Sequence, residues 1–257
     1  MIIHLCPLAA LDDALRQQWR DTLLSDDERA RLARFQRAQA ADQFLAGRAL
    51  LRSALGELLG RAPQQLQFTR NADDKPLPVD ADGWQFNLSH CEQWVALALS
   101  RDGEVGVDID NSARRNDIDG IAERFFQPQE ARWLQSLPQA QRRDHFFLLW
   151  TVKEATVKAL GCGIAGALIE TGVQLRDGRP LVTLTGAIAR AQPPLCWHTT
   201  LADGCHHLAA VLLANRALTS LQPTLLRTLP LRSSVAQFRC DVTSDIRAHA
   251  VSRPPLP

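Results

Sequence analysis

Glu154 and Lys158 lie within one apolar segment, DHFFLLWTVKEATVKALG (residues 144 to 161), and their types and spacing could do chemistry. The run Phe146 to Leu149, with Trp150 and Val157, gives the segment the bulk of a buried helix, and Gly161 marks its stop. At 3.6 residues per turn, Glu154 and Lys158 are i,i+4 neighbours on one face, flanked by Lys153 and Trp150. The chain has only three lysines, Lys75, Lys153 and Lys158, against many arginines. A retained ammonium is a compact charge on a flexible stem and suits a phosphate as a point charge. The same spacing also describes an ordinary surface ion pair.

A second acidic pattern precedes it. Glu104 to Asp110, EVGVDID, alternates apolar and acidic residues and reads as a strand. Asp108 and Asp110 then share a face, about 6.6 to 7 Å apart along the chain. Two like charges so placed invite a cation such as Mg²⁺, which takes one or two carboxylates along with substrate phosphates. They equally describe a charged, solvent-facing strand edge.

The elements that must position these residues belong to a chain of 257 residues, long enough for one large domain or two packed lobes. A net charge of +1 and a pI near 7.7 argue against nucleic-acid binding through bulk charge. No apolar run is long enough to span a bilayer, and Met1-Ile2-Ile3-His4 does not open a secretory signal, so the expectation is a cytoplasmic protein without membrane contact. The six cysteines are scattered and read as reduced thiols. Cys205-His206-His207 lacks a second ligand pair at zinc spacing and reads as a core or turn position.

In chain order, Ile2 to Leu8 reads as a strand and Leu11 to Leu24 as a helix. Ser25 with Glu28 forms a capping signature ahead of one broken helix or two. Arg48 and Arg52 share a helical face and could aim at one anion. Trp84 to Ser100 reads as two strands around His90-Cys91-Glu92, where Ser89 and His90 at a strand end could reach a phosphate. RFFQPQEARWL turns into a helix near Pro128, and Val173 to Leu184 and Leu195 to Ala214 read as hairpins around Asp-Gly turns.

KPLPV with WQFNLSHCEQWVALAL in the first half echoes GRPLVTL with CWHTTLADGCHHLAAVLL in the second. The expected class is therefore α+β, with two lobes of similar topology, each a small, mostly antiparallel sheet packed with helices. The lobes are placed at residues 1–105 and 106–214, with a ligand cleft between them and a loosely ordered tail at 215–257.

GVDID (106 to 110), FFQPQE (125 to 130) and WTVKEATVKALG (150 to 161) in this order resemble the 4'-phosphopantetheinyl transferases of the large, surfactin-synthetase (Sfp-like) type. ERARLARFQRAQAADQFLAGRALLR (28 to 52), Lys75-Pro76 and FNLSH (86 to 90) resemble that family's N-terminal motifs. The resemblance covers roughly residues 1 to 214 and implies a monomer of two pseudo-twofold-related lobes that binds coenzyme A in the cleft, with Mg²⁺ on its pyrophosphate. It implies Asp108, Asp110 and Glu154 as metal ligands, and Asp108, Glu154 and Lys158 as the catalytic set. Asp108, Lys153 and Lys158 would contact the coenzyme, whose 3'-phosphate and adenosine would fall to Arg31, Arg48, Arg52, Lys75, Ser89 and His90.

The implied reaction is attack by a serine hydroxyl of an acyl- or peptidyl-carrier protein on the β-phosphate of coenzyme A, with 3',5'-ADP leaving. Glu154, directly or through a metal-bound water, would be the base. The chain departs from the family pattern in having Asp110 where Glu is usual, and Glu28 where relatives can carry a basic residue. A carrier would meet the loop and helix at 112–137, with Arg114, Arg115, Arg124, Phe125, Phe126 and Trp133, although these aromatics could equally be core. A protein that binds coenzyme A or a carrier domain without turnover and an unrelated Mg²⁺-dependent phosphohydrolase are the competing readings. Intact Asp108, Glu154 and Lys158 oppose the first, and the second leaves Lys75-Pro76 and FNLSH without a role.

Overall fold

The computed structural model describes residues 1–71, 76–162, 164–231 and 236–237. These form two compact units, Met1–Arg101 with the chain returning from Pro223, and Asp102–Gln222. Both are α+β, with small, mostly antiparallel sheets packed with helices.

The first unit begins with strand β1 (Ile2–Pro7) and helices α1 (Asp13–Thr22), α2 (Asp26–Leu32) and α3 (Ala38–Leu59). Local chemistry fixes the helix ends. The Asp12 carboxylate accepts from Leu15 N at 2.7 Å, Ser25 and Glu28 form a reciprocal capping box, and Gly60 closes α3 in the left-handed region at φ 62°. Strands β2 (Phe68–Arg70) and β3 (Pro76–Pro78) pair with each other, while β4 (Gln85–His90) and β5 (Trp94–Ser100) form a hairpin whose second strand runs antiparallel to β1. Trp19, Leu50, Leu51 and Leu97 are wholly buried between the helices and this sheet.

The second unit runs through β6 (Gly103–Asn111), α4 (Ile118–Phe125), α5 (Pro128–Ser136), α6 (Gln139–Leu160) and α7 (Ile164–Glu170). It continues with β7 (Thr171–Arg176), β8 (Arg179–Leu184), β9 (Leu195–Thr200) and β10 (His206–Ala214). Its three-stranded sheet has the order β6-β10-β9, antiparallel throughout. The β7–β8 hairpin turns on Asp177 and Gly178, both at positive φ (51° and 75°), the conformation that an Asp-Gly pair favours. Phe146, Phe147, Val152, Ala209 and Val211 fill the core between α6 and the sheet.

The two units repeat one plan. In each, a first strand leads through helices, the longest of 22 residues, to a two-stranded ribbon and then a hairpin. The second strand of that hairpin pairs with the first strand, giving the orders β1-β5-β4 and β6-β10-β9. The sequence echoes fall on corresponding elements.

The expectation of a loose tail from residue 215 needs correction. β11 (Thr224–Arg227) lies parallel to β1, with Ile2 opposite Thr224, and β12 (Ala236–Gln237) pairs with β11. Leu225 is buried, Trp19 Nε1 donates to Pro230 O at 2.8 Å, and Thr228 N donates to Leu5 O at 2.9 Å. A four-residue strand is too short to display a period in sequence, and its partner lies more than 200 residues away. Residues 232–235 and 238–257 lie outside the described residues.

His4 ties this segment to β1 through a 2.9 Å hydrogen bond between its Nδ1 and Thr228 Oγ1, and burial lowers its pKa from 6.5 to about 4. The neutral ring therefore contributes stability above pH 6.5 that is lost as pH falls through about 4. Denaturant titrations of wild type between those limits should show a loss that His4→Gln lacks, up to about 3 kcal/mol at 1.36 kcal/mol per pH unit.

Candidate active site

The acidic residues and the lysine converge because one helix lies unusually close to one strand. Gly106 of β6 faces α6, and a Cβ there would stand 1.9 Å from Ala155 O and 2.6 Å from Ala159 N. Only glycine leaves room for this approach. Asp108 and Asp110, two and four residues further along β6, share the face of Gly106 and lie opposite Ala209 and His207 of β10. Both carboxylates are largely buried. Glu154 and Lys158, one turn apart on α6, bracket the Ala155 contact and are part-exposed.

Charge then organises the group. Lys158 Nζ donates to Asp108 Oδ1 at 2.6 Å, and Arg114 Nη1 donates to Asp110 Oδ1 at 2.9 Å. Glu154 has its pKa raised, first by desolvation and then by the negative charge of Asp108, with Lys158 opposing and Asp110 adding a smaller push. That mutual repulsion places three carboxylates within electrostatic reach of one another. An all-oxygen anionic donor set of this kind suits a hard divalent cation such as Mg²⁺.

Lys153 has a different place from the one expected. Its side chain is fully buried, with Nζ 2.8 Å from Glu130 Oε2 and 3.0 Å from Leu168 O, and it also donates to Thr171 O. Burial lowers its pKa, and the Glu130 carboxylate opposes the shift. Glu130 in turn accepts from Gln127 N at 2.8 Å and Val173 N at 2.6 Å. Lys153 is thus a core cation joining α6 to α5, α7 and β7, rather than a coenzyme contact. The spacing missed this because Lys153 adjoins Glu154 in sequence but is turned about 100° from it around the helix. Glu130, within the FFQPQE motif, is the buried partner that fixes Lys153 in the core.

The first unit holds the other expected residues. Arg52 is also a correction, because only 3% of its side chain is exposed and its donors are committed to the fold. Nε meets Glu28 Oε2 at 2.6 Å, and Nη1 donates to Pro63 O at 2.6 Å and Leu66 O at 3.0 Å. The capping glutamate Glu28 thus acts as an internal counter-anion, and Arg48 Nε approaches it at 3.6 Å. Burial lowers the pKa of Arg48, against the pull of Glu28. Arg31 and Arg48 both stand over the Phe44 ring, at 5.1 and 5.7 Å, and Arg31 lines a hollow of about 520 Å³ with Asp27, Ala30, Arg34 and Phe35. On β4, Ser89 is buried and His90, at the strand's end, is exposed. Lys75 lies outside the described residues.

Among the described residues, Asp203, Cys205 and His206 form the group whose potential metal-ligand atoms all lie within 4.8 Å of one another. Asp203 Oδ1 accepts from Cys205 N and His206 N, both at 3.0 Å, and Oδ2 lies 2.6 Å from His206 Nδ1. These contacts satisfy the carboxylate where the β9–β10 turn enters β10.

Two family models match along these same units. Residues 13–102 match the 4'-phosphopantetheinyl transferase N-terminal model, and residues 104–212 match the 4'-phosphopantetheinyl transferase superfamily model. The 4'-phosphopantetheinyl transferase psf-1 of Bacillus pumilus is 33% identical over 188 residues, covering 72% of this chain and 79% of psf-1. The chain belongs to the 4'-phosphopantetheinyl transferase superfamily. Two further members of that superfamily are similar over shorter spans. HetI of Nostoc sp. is 41% identical over 145 residues (55% of this chain, 61% of HetI), and gsp of Aneurinibacillus migulanus is 37% identical over 142 residues (55% and 57%). The chain spans about 60% of the length of these two transferases. No helix among the described residues is long and apolar enough to cross a membrane.

Two substitutions test how the site is positioned. Gly106→Ala should cost about 3 kcal/mol or more in denaturant unfolding, since its Cβ would strike the backbone of α6. Lys153→Met should cost about 3 to 5 kcal/mol by leaving Glu130 buried and unpaired, and adding Glu130→Gln should restore much of the loss.

Proposed function

We propose that this chain transfers the 4'-phosphopantetheine group of coenzyme A to a serine of an acyl- or peptidyl-carrier protein, releasing 3',5'-ADP. The observation that carries this reading is the convergence of Asp108, Asp110, Glu154 and Lys158 where β6 and α6 meet, in a member of this superfamily. The serine oxygen forms a bond to the β-phosphorus, the bond from that phosphorus to the bridging oxygen breaks, and 3',5'-ADP departs with the electron pair.

Glu154 takes the serine proton, directly or through a water. Burial and the Asp108 charge raise its pKa, and Mg²⁺ held by the same carboxylate would oppose that shift, which favours the route through a water. Lys158 holds phosphate oxygens and offsets the charge that moves toward the leaving group. Asp108, Asp110 and Glu154 would hold Mg²⁺, which supplies charge neutralisation at the pyrophosphate when bound. Arg31, Arg48, Ser89, His90 and Lys75 are assigned to the 3'-phosphate and adenosine of the coenzyme.

The carrier meets the segment 112–137. Arg114, Arg115 and Arg124 are exposed there and suit an acidic helix, whereas Phe126 is core and Phe125 and Trp133 are half-buried. The working form is a cytoplasmic monomer.

Intact-protein mass spectrometry of apo-carrier proteins incubated with the enzyme, coenzyme A and Mg²⁺ tests the reaction. One phosphopantetheine should be added per carrier, and EDTA should abolish the addition. Asp108→Asn and Glu154→Gln should each slow transfer about 100-fold or more while melting near wild type, since each removes charge at nearly constant volume. Transfer at the wild-type rate in both variants at limiting Mg²⁺ would sink the assignment.

A further inference from the structure

Asp110 carries a cation of the chain's own. Arg114 Nη1 donates to its Oδ1 at 2.9 Å, with the carboxylate 11% exposed and the guanidinium 51% exposed. The same oxygen accepts from Asn111 N at 2.8 Å.

The turn that presents Arg114 is held by several contacts outside the guanidinium. Arg114 N donates to Asn111 O at 3.1 Å, Ala113 N donates to Asn111 Oδ1 at 2.7 Å, and Ser112 is tied through N and Oγ to Cys205 O. The turn is therefore held by the Asn111 side chain and by the β9–β10 turn. The guanidinium places one positive charge beside the acidic group.

We infer that Arg114 is a built-in counter-cation that weakens divalent-cation binding by Asp108, Asp110 and Glu154. This rests on the proposed reading of those three carboxylates as the metal site. The Asp108–Lys158 pair treats the neighbouring carboxylate in the same way, so two of the three acids are partly neutralised by side chains of this chain. Arg114 differs from Lys158 in lying on a solvent-facing turn, where its effect is open to screening by salt. A unit charge about 6 to 12 Å from a divalent ion, in a solvent-exposed setting with the dielectric of water, changes affinity by about three- to tenfold.

Mn²⁺ binding to the full chain, followed by electron paramagnetic resonance of the free ion, tests this without reference to turnover. Arg114→Gln, which removes the charge but keeps most of the length, should bind Mn²⁺ about three- to tenfold more tightly than wild type at low salt. The gap should narrow as NaCl is raised. Arg114→Lys, which keeps the charge, should stay within about twofold of wild type. Equal or weaker binding by Arg114→Gln at unchanged melting temperature overturns the inference. Failure of all three proteins to bind Mn²⁺ is a separate result, because it overturns the metal reading on which the inference rests.

Discussion

The near-contact of β6 with α6 at Gly106 is the constraint on which the rest of the second unit depends. A helix normally stands off a strand by the thickness of two side chains. Removing one at Gly106 lets the backbone of α6 approach, and the residues on either side then meet at short range. Asp108 comes within hydrogen-bond distance of Lys158, and the charge of Asp108 reaches Glu154. Desolvation and repulsion at this point are destabilising, as expected where a fold holds like charges together for chemistry.

That arrangement needs a rigid support, and Glu130 with Lys153 supplies it. Each single group would be costly to bury. Together, with two backbone donors on the carboxylate and two carbonyls on the ammonium, nearly every polar site is satisfied. The pair holds α6 from a face about 100° around the helix from Glu154, so these two residues, adjacent in sequence, point to different surroundings. Glu28 with Arg52 does similar work in the first unit, joining the start of α2 to α3 and to the carbonyls at 63 and 66. In both units an ion pair that could pass for a binding site is a fastening.

Much of this could be read along the chain. The capping box at Ser25, the stop at Gly161, the Asp-Gly turns and the acidic i,i+2 pair on β6 are local signals, and each falls where local physics places it. The repeated plan was legible because each half carries the same order of short patterns. What escaped was non-local. The pairing of β11 with β1, the partners of Lys153 and Arg52, and the bond from Arg114 to Asp110 depend on which segments meet in space. Counting lysines marked Lys153 as unusual without distinguishing a core cation from a phosphate ligand. Its neighbours at i−4 and i+4, Leu149 and Val157, are both buried, and that pattern was the available sign that it faced inward.

The most direct test of the central claim is a crystal structure of the chain grown with Mn²⁺ and coenzyme A, with the metal located by its anomalous scattering. The account predicts one strong peak bonded to carboxylate oxygens of Asp108, Asp110 and Glu154, at about 2.0 to 2.2 Å, with oxygens of the pyrophosphate completing the shell. A peak at Asp203, Cys205 and His206 with none at the β6–α6 contact would contradict it, as would coenzyme bound with no metal at that contact.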